Sequence, residues 1–209
     1  FYEVKDPLFG DSDNMGEKLD GAARDRFIFH EGDIDPDWKN LQDINAMVIH
    51  YWQEDYLPVK SVNPEKNEVV FSAKSYMAFV RSHPAHVCEN AWYYMDNVFE
   101  ALDNPGEWYL DRVKGELYYI PRSDETMKTA EIYAPVAGQI FRFEGEPENN
   151  EFIEQIHFSG ISFRHNTYEW DSHYGTGNSP GGSGPAMLSF YGTRDCSIEK
   201  CKFTNLGEY

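Results

Sequence analysis

Apolar and polar residues alternate with a period of two along most of the first 150 positions. That spacing places successive side chains on opposite faces of a strand. It marks "RFIFH" (26–30), "INAMVIHYW" (44–52), "LPVKSV" (57–62), "NEVVFS" (67–72), "NAWYYM" (90–95), "AEIYAP" (130–135) and "GQIFRF" (138–143) as strands. Residues 107–120 read as a hairpin around Lys114-Gly115, since a tight turn favours glycine. In it Trp108 and Leu110 share one face, and Glu107, Tyr109 and Asp111 share the other. "NVFEALD" (97–103) predicts a short helix that Asn104-Pro105-Gly106 ends. Residues 1–25 are polar and predict irregular chain. About nine short strands with regular turn signals predict a β-sandwich or barrel.

The pattern changes after about residue 150. "IEQIHFSGISFRHN" (153–166) and "TRDCSIEKCKFTNL" (193–206) align at an offset of forty residues. Ile156, Phe158, Ile161 and Phe163 then match Cys196, Ile198, Cys201 and Phe203. A repeated unit that cannot bury its own apolar face implies stacking of successive copies. The predicted fold is all-β, with a β-sandwich-like domain at 1–150 followed by partial right-handed parallel β-helix coils at 151–209. "TYEWDSHYGTGNSPGGSGP" (167–185) interrupts the repeat as a long loop, where function is commonly carried, and "AMLSFYG" (186–192) resumes it.

Charge narrows the partners. The 209 residues hold 36 acids and 18 bases, a net −18. Nucleic-acid binding draws its affinity from Lys and Arg on phosphates, so this balance excludes it as an expectation. Neutral ligands are favoured, and no apolar run approaches the roughly 20 residues of a membrane span. Cys88, Cys196 and Cys201 are too few and too irregular for a disulfide framework or a zinc knuckle, and predict small buried side chains. His83 and His86 flank Pro84 with no third ligand nearby, so no metal and no cofactor are expected. The chain opens on Phe1 with no signal pattern, which reads as a processed chain or a piece of a longer one.

"ENAWYYMDNVFEALDNPGEWYLDRVKGELYYIPRSDE" (89–125), with "IHFSGISFRHN" and "DCSIEKCKFTNLGEY", resembles bacterial right-handed β-helix glycoside hydrolases. The resemblance is to glycoside hydrolase families 141 (fucosidases and xylanases) and 120 (β-xylosidases), and it spans about residues 24–209. It implies a sandwich domain inserted into a β-helix that acts on plant or host polysaccharide outside the cytoplasm, secreted or periplasmic. It implies that the catalytic carboxylates lie on later coils, so that this chain alone lacks the complete pair. No catalytic residue carries over.

Glycoside hydrolysis needs two carboxyl groups about 5 Å apart for retention, or roughly 6.5–9.5 Å for inversion. The loop offers Glu169 and Asp171 around Trp170, with His173 and Tyr174 beyond. Trp170 can stack on a sugar, and His173 and Tyr174 can bond hydroxyls, so these five are the substrate-binding candidates. The bland reading is a surface loop. Trp108, Tyr109, Tyr118 and Tyr119 offer a second sugar platform, with core packing favoured; His50 and Trp52 are read as core or interface. Two further functions stay open: a non-catalytic carbohydrate-binding or structural module, and a polysaccharide lyase, disfavoured because its uronate substrates are anionic. An open β-helix end predicts self-association.

Overall fold

The computed structural model describes residues 1–12, 15–51, 53–81, 89–167 and 186–207. They are almost entirely β, in two compact units that divide between Ala130 and Glu131. Among them, no helix is long and apolar enough to cross a membrane.

Among the described residues the first unit has eight strands. They are β1 (Tyr2–Glu3), β2 (Arg26–Ile28), β3 (Asn45–Ile49), β4 (Glu54–Asn63), β5 (Glu68–Phe71), β6 (Trp92–Asp96), β7 (Trp108–Asp111) and β8 (Glu116–Tyr119). Six of them form one antiparallel sheet in the order β1-β6-β3-β4-β5-β2. The ladder of β4 on β5 shifts register between Val59 and Ser61, and such a bulge bends a sheet. The sheet curls until its edges meet. The Val4 amide donates to the Ala91 carbonyl beyond β6, while Asp6 and Ile28 exchange amide bonds of 3.2 and 2.9 Å at β2. The sandwich-like packing is therefore one sheet folded over a main core, with a smaller cluster of Ala22, Ala78 and Val80 beside it. Phe27, Phe29, Phe79, Leu57, Val48 and Tyr93 are sealed inside the main core.

Two local expectations change. Residues 1–25 carry β1 and a short helix, Met15–Asp20, where irregular chain is expected. The helix expected at 97–103 is only a 3-10 turn, Phe99–Ala101. The Asn97 side chain takes up the neighbouring backbone: its Nδ2 donates to the Asp43 and Leu110 carbonyls, and its Oδ1 accepts the Leu110 amide at 2.9 Å. Asn97 is itself left-handed, with φ of 60°, so the expected helix cannot start there.

The second unit is built of parallel pairs. Its strands are β9 (Phe141–Glu144), β10 (Ile153–Glu154), β11 (His157–Ser159), β12 (Ser162–Arg164), β13 (Leu188–Tyr191), β14 (Thr193–Arg194), β15 (Ser197–Glu199) and β16 (Lys202–Thr204). β10 pairs with β14, β11 with β15 and β12 with β16, each at the forty-residue offset. Phe158 stands opposite Ile198, and Phe163 opposite Phe203 with rings stacked at 5.1 Å. β9 lies along β13 with Phe143 opposite Phe190, so this strand, grouped with the first domain on sequence, pairs within the second unit. "AEIYAP" (130–135) forms no strand.

The corners of the turns repeat as strictly as the strands. Gln155, Gly160 and His165 have φ of 61°, 70° and 57°; Asp195, Lys200 and Asn205, forty residues on, have 50°, 53° and 54°. A left-handed residue every fifth position bends the chain between strands of two or three residues. Where β9 and β13 end, Gly145 and Gly192 meet backbone to backbone, and a Cβ on Gly145 would strike the Gly192 carbonyl. Cys196 and Cys201 are half-buried rather than buried, because among the described residues the turn that holds them is covered on one side only.

Candidate functional site

Glu169, Trp170, Asp171, His173 and Tyr174 lie outside the described residues, as do Trp52, His83, His86 and Cys88. Both stems of their loop are fixed in the second unit. On the incoming side Asn166 is 3% exposed; its Nδ2 donates to the Gly138 carbonyl at 2.9 Å and its Oδ1 accepts the Gly207 amide at 3.0 Å. The Thr167 amide donates to Ala137. On the outgoing side the Ile140 and Phe141 amides share the carbonyl of buried Met187, and Gln139 Nε2 donates to Ala186. Residues 137–141 thus hold both stems. His165 stacks on Tyr133 at 4.3 Å beside the incoming stem. Sequence reasoning passed over Tyr133, since it stands in the stretch expected to be a strand.

In the first unit, three polar groups meet in the core. His50 Nε2 lies 3.0 Å from Asp55 Oδ2 and 3.3 Å from Ser75 Oγ, and its Nδ1 lies 3.0 Å from the Val80 carbonyl. Asp55 Oδ2 also accepts the Ser75 hydroxyl and, at 3.0 Å, the Tyr76 amide. In an acyl-transfer triad the carboxylate and the hydroxyl sit on opposite nitrogens of the imidazole. Here both sit on one nitrogen and a carbonyl takes the other. All three residues are also buried, at 3%, 0% and 3% exposed. The cluster is a structural cross-brace between β3, β4 and the 75–80 loop.

The aromatic hairpin is likewise structural. Tyr109 and Asp111 are fully buried, whereas Trp108 is 57% exposed. Lys39 enters from the 38–40 loop, its ammonium 4.2 Å from the Phe99 ring centre and 3.2 Å from Asp111 Oδ2. The rings of Tyr109 and Tyr118 lie at 5.4 and 5.2 Å. Burial pushes the Asp111 carboxyl up, but the Lys114 amide and Lys39 outweigh it and hold it below the ordinary carboxylate range. Burial draws the Lys39 ammonium down, yet its bond to Asp111 holds it above the usual lysine range. The cage is filled by the protein's own cation. Among the described residues no three His, Cys, Asp or Glu are grouped to hold a metal ion.

An open cleft lies among the described residues on the sheet of the first unit. Phe1, Tyr2, Glu3, Ile49 and Trp92 line a cleft of about 620 Å³. Period two along "NAWYYM" places Trp92 opposite Tyr93, the inward ring, but spacing alone does not show a cleft there.

A profile of the GH141 insertion domain matches residues 25–122, which comprise most of the first unit. A solved chain titled "Glycoside hydrolase" superposes with a TM-score of 0.69 at 18% identity, over 99% of this chain and 41% of its own length. No curated protein sequence matches. The chain therefore spans about two-fifths of that solved relative.

Proposed function

We propose, from the match of residues 25–122 to the GH141 insertion domain, that this chain supplies the inserted β domain and the early parallel coils of a glycoside hydrolase. The parallel pairs at a forty-residue offset support the coil assignment. The substrates are neutral plant or host polysaccharides of the xylan or fucosylated kind. Net charge supports this, since 36 acids against 18 bases repel uronate chains and so disfavour a lyase. Polymers of that size are degraded outside the cytoplasm, so a secreted or periplasmic location belongs to the same proposal. The loop between Thr167 and Ala186 is its candidate substrate contact, because both stems are anchored while Trp170, His173 and Tyr174 supply stacking and hydroxyl-bonding groups.

Hydrolysis is the test. The gene's whole product is assayed on aryl xylosides, aryl fucosides, xylan and fucosylated glycans, beside the 209-residue chain. Turnover by the whole product and none by the 209 residues is expected. A whole product that cleaves nothing in the panel overturns the hydrolase reading in favour of a binding module. Turnover by the 209 residues that disappears in Glu169→Gln or Asp171→Asn would instead move the catalytic pair onto the loop.

A further inference from the structure

The cleft of about 620 Å³ falls within the volume range of small-ligand sites. Strand register sets its floor. Glu3 of β1 stands opposite Trp92 of β6, Trp92 opposite Ile49 of β3, and Ile49 opposite Glu54 of β4. An apolar pair is thus bracketed by two carboxylates, about 14 Å apart at the usual strand spacing. The next row continues the surface with Tyr94, Met47 and Tyr56. Trp92 remains 43% exposed, as no interior position requires, while Tyr2, opposite the inward Tyr93 with rings 5.5 Å apart, borders the cleft at the β1 edge and not within the row.

We propose that this row is a glycan-binding subsite for a neutral oligosaccharide, carried by the inserted domain itself. Choosing a glycan among neutral ligands rests on the glycoside hydrolase reading; the rest comes from the geometry. Sugar rings present an apolar C–H face that packs on an aromatic ring and hydroxyls that donate outward. The row offers the Trp92 ring and the Ile49 side chain at its centre and acceptors at both ends. An anionic ligand meets Glu3 and Glu54. The Arg81 guanidinium, paired with Glu89 at 2.9 Å, lies 4.0 Å from the Trp92 ring centre and takes one face of the ring, yet Trp92 stays 43% exposed to a ligand. A second copy of this chain would bring the same carboxylates against their own kind.

The experiment titrates the 209-residue chain with xylohexaose and with a fucosylated oligosaccharide by calorimetry, beside Trp92→Ala, Tyr2→Ala, Trp92→Phe, Trp108→Ala and Trp170→Ala. Circular dichroism and the melting curve check that each variant folds. The proposal expects at least tenfold weaker binding in Trp92→Ala and Tyr2→Ala, partial rescue in Trp92→Phe, and wild-type affinity in Trp108→Ala. Binding unaffected by Trp92→Ala but lost in Trp170→Ala or Trp108→Ala overturns the subsite and leaves the hydrolase reading standing. So does no binding at all, because that reading is judged by turnover. Salt-sensitive binding of hexalysine in place of sugar, or a dimer that Trp92→Ala dissolves, would also overturn it. Should Trp92→Ala fail to fold, Tyr2→Ala and Trp92→Phe carry the decision.

Discussion

Asp55 shows what one polar residue in a core must do. Its carboxylate is fully buried and bonded to His50, Ser75 and the Tyr76 amide. Removing it leaves the His50 imidazole and the Tyr76 amide without that acceptor, while the Ser75 hydroxyl keeps the Met77 carbonyl at 2.6 Å. Each unpaired buried donor costs about 1–3 kcal/mol. We therefore expect Asp55→Ala to lower unfolding free energy in a urea titration by about 3 kcal/mol or more. Ser75→Ala, which leaves the His50–Asp55 contact in place, should cost about 1 kcal/mol. Equal losses would mean that the serine, not the carboxylate, organises the cluster. The residue was legible in principle: Asp55, Leu57 and Val59 share the inward face of β4. The apolar pattern starts only at Leu57, so a carboxylate two positions earlier looks like the strand's wet end. A buried acid shows its place only once its partners from residues 50 and 75 are beside it.

At the scale of the elements, the corners of the second unit carry a consequence that side-chain type conceals. Gly160 and Lys200 occupy the same corner of successive turns with φ of 70° and 53°. Glycine is at ease there; a residue with a Cβ pays about 1 kcal/mol. Nothing lies within 4 Å of a Cβ built on Gly160, so only the backbone term acts. Gly160→Ala should therefore destabilise the protein by about 1 kcal/mol, and Lys200→Gly should stabilise it by up to that amount. Differential scanning calorimetry of the two variants decides it; shifts of the same sign would show that corner side chains make contacts that matter more. The inward positions made the repeat visible, since apolar side chains recur at a fixed offset. The corners did not, because Gln155 and Lys200 are unusual left-handed residues and interrupt the signature that Gly160, His165, Asp195 and Asn205 carry.

The whole molecule joins a closed sheet to an open stack. Closure of the first unit was hidden because its key segment, residues 2–6, contributes mainly backbone bonds; Val4 is its one apolar residue sealed in the core. The stack was foreseen, and its open side has a cost. Phe190 is half-buried, Ile198 45% exposed and Phe203 40% exposed, with no further strand against β13, β15 or β16 among the described residues. Covering one large apolar side chain is worth roughly 1.5–3 kcal/mol, and unpaired strand edges recruit other chains. Net charge opposes this until salt screens it to about 8 Å. The 209-residue chain is expected to self-associate increasingly as salt rises, as read by light scattering. A monomer at every ionic strength would show that the edge is already covered.

In the second unit the covalent chain runs around each turn, while the hydrogen bonds between its paired strands run from one turn to the next. Tension applied along the chain therefore meets those bonds a few at a time, because each turn is tied to its neighbour through strands of two to four residues. Pulled by its ends, such a stack should peel turn by turn at low force, like a coil of tape. The first unit, whose strands cross-brace one shared core, should hold and then give way at once.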